Sequence, residues 1–328
     1  MLARAVAACA LVTIAAGCGS SSSATSPAAR KATLILDFTP NAVHAGVYSA
    51  LARHYDRRQG VNLHVIAPTA STDSIKLLET GRVDFAILDI HDLAIARQDG
   101  QDIVGVMAIV ERPLSAVIAA PSVSSPRALL GKTVGITGVP SDTAVLRSIV
   151  AGGGGDPSKL KTITIGFNAV ADLLAGRVAG ATAFWNDEGQ AVQSKRPGFH
   201  IFRVENYGAP PYPELVLTTT RRTLQREPAL TRDVVDALRE GYQFTLQHPS
   251  DSAKDLEQLN PALDPKLVSA QLSGLLPAFR AADGHVGELN PATLRAWAAW
   301  EARFGIVPRP PDVARAFDPS LTATPASS

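Results

Sequence analysis

The chain has 328 residues, 46% apolar and 19% charged, enough to bury a sizeable core in one large or two medium domains. Its formal charge of +1 carries no large basic excess, so nucleic acid is not the expected partner. Only two cysteines occur, Cys9 and Cys18, both near the start, which excludes a disulfide framework and a cysteine metal site.

Residues 1–17 read as a targeting segment. Arg4 supplies a positive start, and residues 5–16 are apolar but too few to span a bilayer. The run ends in Ala15-Ala16-Gly17-Cys18, which resembles a bacterial lipobox with Ala15 in place of the usual leucine. Cys18 is therefore the expected lipidation site, anchoring the chain at the outer face of the bacterial cytoplasmic membrane. Ordinary signal cleavage beside a chance cysteine is the alternative. Residues 19–30 are rich in Ser, Ala and Gly, the composition of a flexible tether.

From residue 33 the chain alternates strands and helices. Residues 34–36, Leu-Ile-Leu, are a short apolar run suited to a buried strand. Asp37-Phe38-Thr39-Pro40-Asn41 is a turn cluster, and Asn41 is a good N-cap for a helix over residues 42–58 that Gly60 stops. Residues 63–66 read as strand, Ser71-Thr72-Asp73 starts a helix that stops near Gly81, and residues 84–88 are strand again. Asp89-Ile90-His91-Asp92 then opens a further helix. Later residues repeat the grammar: strands at 133–136, 162–165 and 181–184, with helices begun by Pro140-Ser141-Asp142 and at Ala169. Such alternation implies parallel sheets with helices on their faces. A local echo supports two similar lobes. Leu77-Leu78, then Gly81-Arg82-Val83, a strand and Asp89-Ile90-His91-Asp92 match Leu173-Leu174, then Gly176-Arg177-Val178, a strand and Trp185-Asn186-Asp187-Glu188.

Two extended segments, residues 114–120 and 214–220, are suited to cross between the lobes, with the chain leaving the first near Ala116 and returning near Val216. Helices follow over residues 228–247, 265–276 and 291–304, and Trp297 and Trp300 are expected in the core. From Pro308 onward the Pro-, Ala- and Ser-rich tail is expected to fray. The expected units are a signal peptide at 1–17, a tether at 18–31, lobe one at 32–116, lobe two at 117–214, the return with C-terminal helices at 215–310, and a tail at 311–328.

Several motifs fail. Gly131-Lys132-Thr133 lacks the earlier glycine of a phosphate-binding loop, since Pro126 stands there, and a strand follows instead of a helix. No Gly-x-Ser-x-Gly elbow occurs, and the seven histidines show no zinc-binding spacing, so neither a catalytic site, a metal nor a cofactor is expected. What survives is a set of aromatic, amide and carboxylate residues at strand ends and helix starts: Asp37, Phe38, Asn41, His44, Asp89, Trp185, Asn186 and Glu188. Phe38 and Trp185 are suited to sandwich a flat ring, and Glu188 to accept two hydrogen bonds from an amino group and a ring nitrogen. Asp187 is expected to point away. His44 is open between packing at the helix start and touching ligand, Asp89 between capping its helix and touching ligand, and Tyr207 between cleft wall and hinge. A small-molecule cleft between two lobes is the economical reading.

Asp37-Phe38-Thr39-Pro40-Asn41 with His44-Ala45-Gly46 also resembles the signature of proteins that bind or make the thiamine pyrimidine precursor, with Phe38 where tryptophan is usual. Gly166-Phe167, Phe184-Trp185-Asn186-Asp187-Glu188 and Glu205-Asn206-Tyr207-Gly208-Ala209-Pro210 are similar to that family's second lobe. The resemblance spans residues 33–220. It implies an α/β periplasmic-binding-protein fold of the second type, acting as a monomer. It also implies delivery of a formylated aminopyrimidine to the permease and ATPase of an ABC importer. The alternatives are a binder of alkyl sulfonate, nitrate or flavin, and an enzyme that makes the pyrimidine. The acids and aromatics of the expected cleft favour a neutral or cationic ring over an anion. The family's enzymes pair a histidine comparable to His44 with a cysteine-rich segment, which this chain lacks.

Overall fold

The computed structural model describes residues 29–281 and 283–323. Strands β1 (Arg30–Ile35), β2 (Val61–Ile66), β3 (Phe85–Asp89) and β4 (Ile103–Val110) belong to one sheet. Strands β5 (Ser115–Ala119), β6 (Thr133–Ile136), β7 (Lys161–Thr164), β8 (Gly180–Phe184) and β9 (His200–Arg203) make a second. β10 (Leu215–Thr220) then returns to the first.

The two sheets follow one plan. Their orders are β2-β1-β3-β10-β4 and β7-β6-β8-β5-β9. In each, the second strand pairs in parallel with both its neighbours: β1 with β2 and β3, and β6 with β7 and β8. In each, the strand that has just crossed from the other lobe inserts antiparallel: β10 between β3 and β4, and β5 between β8 and β9. The sheets are thus mixed rather than wholly parallel. β10 can sit inside a sheet despite its three threonines because Thr218 Oγ1 donates to Ala86 O at 2.8 Å and Thr219 Oγ1 to Asp84 O at 2.7 Å. β4, IVGVMAIV, is apolar throughout and buried at every residue, as a strand covered on both faces requires.

Four local expectations need correction. The helix over 42–58 is three pieces: a 3-10 turn, Ala42–His44, runs straight into Ala45–Ala52, and His54, with a left-handed φ of 58°, separates that helix from Tyr55–Arg58. β1 begins at Arg30, inside the segment read as tether, since its first residues pair in register with Val61 and Asn62. The first passage between sheets lies at residues 111–114, before Ala116, which is already paired in β5. The chain's end also docks: Val313–Ala316 is helical, and Phe317 is buried against Gly105 of β4 and the Trp297 ring. A Cβ on Gly105 would lie 2.6 Å from the Phe317 ring, so the glycine makes room for that contact.

The C-terminal helices cover the first sheet. Helix Pro228–Gln247 crosses helix Ala45–Ala52 at a glycine pair, where a Cβ on Gly241 would lie 2.0 Å from the Gly46 carbonyl oxygen. Tyr242 lies over Gly46, fully buried, and its hydroxyl donates to Val43 O at 2.9 Å. Helix Pro291–Arg303 buries Leu294, Trp297, Ala298, Trp300 and Glu301 on one face.

Candidate ligand cleft

In both sheets the parallel strands end toward the space between the lobes, which is where open α/β sheets expose loop backbone and helix starts. β1 leads into Asp37 and Phe38, β3 ends at Asp89, β6 leads into residues 137–142, and β8 leads into residues 184–188. These four strand ends enclose a cavity of about 100 Å³. Among the described residues six carboxylates line it, Asp37, Asp89, Asp92, Asp142, Asp187 and Glu188, and no lysine or arginine does. Phe38, Phe167 and Phe184 supply aromatic wall. Phe38 from one lobe meets Phe167 from the other edge-to-face, with ring centres 4.4 Å apart.

Of the residues singled out in the sequence, Asp37, Phe38, Asp89 and Glu188 reach the cavity. Asn41 and His44 stand behind them. Asn41 caps its helix, its Oδ1 accepting from Val43 N at 2.8 Å, and its Nδ2 donates across the cleft to Asp187 Oδ2 at 3.3 Å. His44 is fully buried. Its Nδ1 accepts from Asn41 N at 3.2 Å, so Nε2 carries the proton toward Asp37 Oδ1 at 2.9 Å and fixes that carboxylate. Asp89 caps its helix, Oδ1 accepting from His91 N at 2.8 Å, and the residue also lines the cavity.

Trp185, Asn186 and Tyr207 are not on the lining. A buried indole N–H needs an acceptor, and that of Trp185 finds Pro113 O at 3.1 Å, in the passage between sheets. The Arg203 guanidinium covers its ring at 3.9 Å. Asn186 is buried, and neither amide atom has a partner among the described residues. Tyr207 packs edge-on against Phe202. Asp187, expected to point away, lines the cavity instead. Gln271, on helix Pro265–Leu275, donates to its Oδ1 while Asn41 donates to Oδ2, so two first-lobe amides turn the side chain inward.

Sequence reasoning missed Asp92, Asp142 and Thr182. Both aspartates sit in the first turn of a helix that follows a strand, as Glu188 does, and that shared position was the available signal. Asp92 Oδ1 accepts from Ser141 N at 3.0 Å across the cleft, and Ser71 Oγ donates to Thr137 O at 3.1 Å beside it. With the Asp187 bonds, these contacts hold the lobes closed.

Burial dominates the electrostatics. It pushes Glu188 up to about 8, helped by the Asp187 charge, and Asp187 up to about 6, against the hydrogen bond from Gln271. Asp92 rises to about 7 through burial, opposed by its bond to Ser141 and reinforced by Asp142. Asp89 rises well above the usual carboxylate range for the same first reason. Behind Asp89, burial alone would lower His91, but the charges of Glu301, Asp89 and Glu214 outweigh it and raise the imidazole to about 10. Asp89, His91 and Glu214 are close enough to share an ion, yet both ring nitrogens of His91 are engaged, Nδ1 by Glu301 and Nε2 by Tyr212 at 3.1 Å. Glu214 itself accepts from Leu114 N and from Ser115 N and Oγ, at 2.8 and 2.7 Å for the serine, so it ties the two passages between lobes together.

The model of the NMT1/THI5-like family matches residues 41–252, more than half of the chain. The chain belongs to this family. Within it, the chain is 27% identical over 279 residues to the formylaminopyrimidine-binding protein of Halalkalibacterium halodurans, covering 83% of this chain and 84% of that one. It is 22% identical to the 4-amino-5-hydroxymethyl-2-methylpyrimidine phosphate synthase of Legionella pneumophila, over 76% of this chain and 80% of that one. The fold is that of periplasmic binding proteins: the alkanesulfonate-binding protein of Xanthomonas axonopodis pv. citri superposes with a TM-score of 0.71 at 16% identity, covering 90% of this chain and 99% of that one. No helix among the described residues is long and apolar enough to cross a membrane. Cys18, the signal segment and most of the tether lie outside the described residues.

Proposed function

We propose that this family member is the extracytoplasmic solute-binding lipoprotein of an ABC importer. In this reading it binds a thiamine pyrimidine precursor of the formylaminopyrimidine type and hands it, unchanged, to a membrane permease and its ATPase. The observation that carries the reading is the lining: six carboxylates, three phenylalanines and no basic side chain around a small cavity. An aminopyrimidine presents an amidine-like edge, an exocyclic amine beside a ring nitrogen. Glu188, largely protonated at neutral pH in the ligand-free cleft, meets that edge with one donor and one acceptor, and passing its proton to the ring turns the pair into a charge-assisted one. Phe38 and Phe167, in edge-to-face contact across the lobes, give the ring an aromatic wall on one side. Asp37, held by His44, and Asp89 are further acceptors on the first lobe, while Asn41, Trp185, Asn186 and Tyr207 support the site from behind.

Sulfonate and nitrate are anions, and the helix starts that face the cavity carry Asp92, Asp142 and Glu188 in their first turns, with neither Lys nor Arg on the lining to offset them. An enzyme releasing a pyrimidine phosphate faces the same lack of cations, and His44 is buried off the lining with both ring nitrogens engaged. A thermal-shift panel of aminopyrimidines, thiamine, riboflavin, sulfonates and nitrate tests the assignment. Aminopyrimidines should raise the melting temperature and be recovered chemically intact. Stabilisation by a sulfonate or nitrate alone, or turnover of the bound pyrimidine, defeats it.

A further inference from the structure

We infer that the outer end of the second lobe is a docking surface for anionic phospholipid, which lays the tethered protein along its membrane. This rests on the extracytoplasmic lipoprotein reading above and adds a second, reversible point of contact.

The charges of this lobe are sorted by position. From Val117 to Phe202 the chain has eight basic residues and five acids, and three of the acids, Asp142, Asp187 and Glu188, line the cavity. The other two, Asp156 and Asp172, are already paired with Lys159 and Arg177. The remaining cations converge. β6, β7 and β8 run parallel with their C-terminal ends at the cleft, so their N-terminal ends form the outer end of the lobe. Lys132 precedes β6, and Lys161 opens β7 opposite Thr133. Gly131 N donates to Lys159 O at 3.3 Å, which joins those two loops. Arg127 lies beside Gly155, where a Cβ would sit 3.4 Å from the Arg127 Cα. Ala119 pairs with both Gly180 and His200, so the helix end bearing Lys195 comes to the same side. Next to it, Arg196 Nη2 donates to Leu174 O at 2.7 Å, against the turn that leads to β8.

These cations are all exposed, and Arg127, Lys132, Lys161 and Lys195 have no ion-pair partner among the described residues. Ile163, two positions beyond Lys161 and so on the same face of edge strand β7, is 46% exposed. The first lobe differs: Arg30, Arg53 and Arg58 are paired with Asp233, Asp255 and Glu240. Unpaired cations spread over several loops suit an extended anionic plane, and an apolar side chain among them suits its interfacial layer. The tether supplies the geometry. β1 also points its C-terminal end at the cleft, so Arg30 lies at the outer end of the first lobe. Cys18 precedes Arg30 by 12 residues, which reach about 40 Å when extended. Attachment at both outer ends lays the long axis along the bilayer and keeps the cleft beside the membrane, where a permease meets it. Tethering raises the local concentration of the cationic end, so a contact too weak to retain a free chain still orients an anchored one.

Vesicle sedimentation tests the surface. Every described element lies after residue 28, so a chain begun at residue 19 keeps the fold and carries no anchor. At low salt it should bind mixed phosphatidylglycerol–phosphatidylcholine vesicles about a hundredfold more tightly than phosphatidylcholine alone, and about 1 M salt should release it. Replacing Arg127, Lys132, Lys161 and Lys195 together by glutamine should bring that ratio toward one at an unchanged melting temperature. Glutamine at four exposed first-lobe cations, Arg226, Arg232, Lys266 and Arg303, should leave the ratio as in wild type. A wild-type ratio near one, or an equal loss in the first-lobe control, overturns the surface and leaves the solute-binding reading standing. Tighter binding to soluble polyglutamate than to anionic vesicles of equal charge also overturns it, in favour of an acidic protein partner. The anchor is judged separately, by whether mass spectrometry of the cellular protein finds lipid on Cys18.

Discussion

Glu188 is a buried acid whose backbone contact, Oε2 accepting from Phe184 N at 3.0 Å, fixes its position at the end of β8. Removing it deletes the proposed partner of the pyrimidine edge. Since a hydrogen bond to a charged group contributes roughly 1.5–3 kcal/mol, Glu188→Ala should weaken aminopyrimidine binding by about tenfold to over a hundredfold in calorimetry. An unchanged affinity means that another acid holds the ring. The same residue sets a pH trend. Its folded value of about 8 stands above the ordinary 4.5, and Asp92 and Asp187, at about 7 and 6, stand above 3.8. The folded, ligand-free chain therefore binds more protons than the unfolded one in this window. Its stability from these groups is full below about pH 4 and falls as pH rises toward 8. Glu111, raised to about 8 outside the cavity, acts in the same direction, so the variant slope carries the test. Glu188→Gln should flatten the fall in melting temperature between pH 5 and pH 8, and a slope as steep as wild type refutes the assignment.

At the level of elements, the first lobe depends on close approach of helices. The Gly241–Gly46 crossing has no space for a methyl group, because the obstructing atom is a carbonyl oxygen rather than a flexible side chain. Overpacking of this kind costs about 1–3 kcal/mol or more. Gly241→Ala should lower the urea midpoint accordingly, and a midpoint equal to wild type would show that the helices separate freely. Trp297 is fully buried, with its ring against Phe317. Trp297→Ala should cost about 3–5 kcal/mol, read in the same denaturation experiment. It should also loosen the docked chain end, which limited proteolysis would report as earlier cleavage near Phe317.

The whole molecule closes through a few polar contacts between lobes, of which Asp187 makes two. Closure that sequesters ligand between lobes is a hinge motion. Asp187→Ala should therefore reduce the ligand-induced compaction measured by small-angle scattering, and weaken binding through a faster release rate. Full compaction in the variant would show that the clasp is incidental. The proposed anchor is separable from all of this. In cell fractionation, Cys18→Ala should move the protein from membranes to the soluble extracytoplasmic fraction, and sedimentation like wild type removes the lipoprotein proposal.

Much of this was legible without coordinates. The apolar runs of β1, β3, β6 and β8, and the polar residues that follow them, are local features, set by chain periodicity and capping chemistry over a few residues. They placed Asp37, Phe38, Asp89 and Glu188 at strand ends, and the cleft lies there. Direction was not local. After β8 the turn offers Trp185, Asn186, Asp187 and Glu188 in succession, and the residue that faces ligand depends on what waits on each side. Pro113 draws the Trp185 indole to the passage between lobes, and Gln271, 84 positions away in sequence, draws Asp187 into the cleft. Glu301 reaches His91 across 210 positions, and β10 enters the first sheet between β3 and β4 only after the second lobe is complete. Periodicity fixes which residues leave a strand together; contacts between distant segments decide which of them share a cavity.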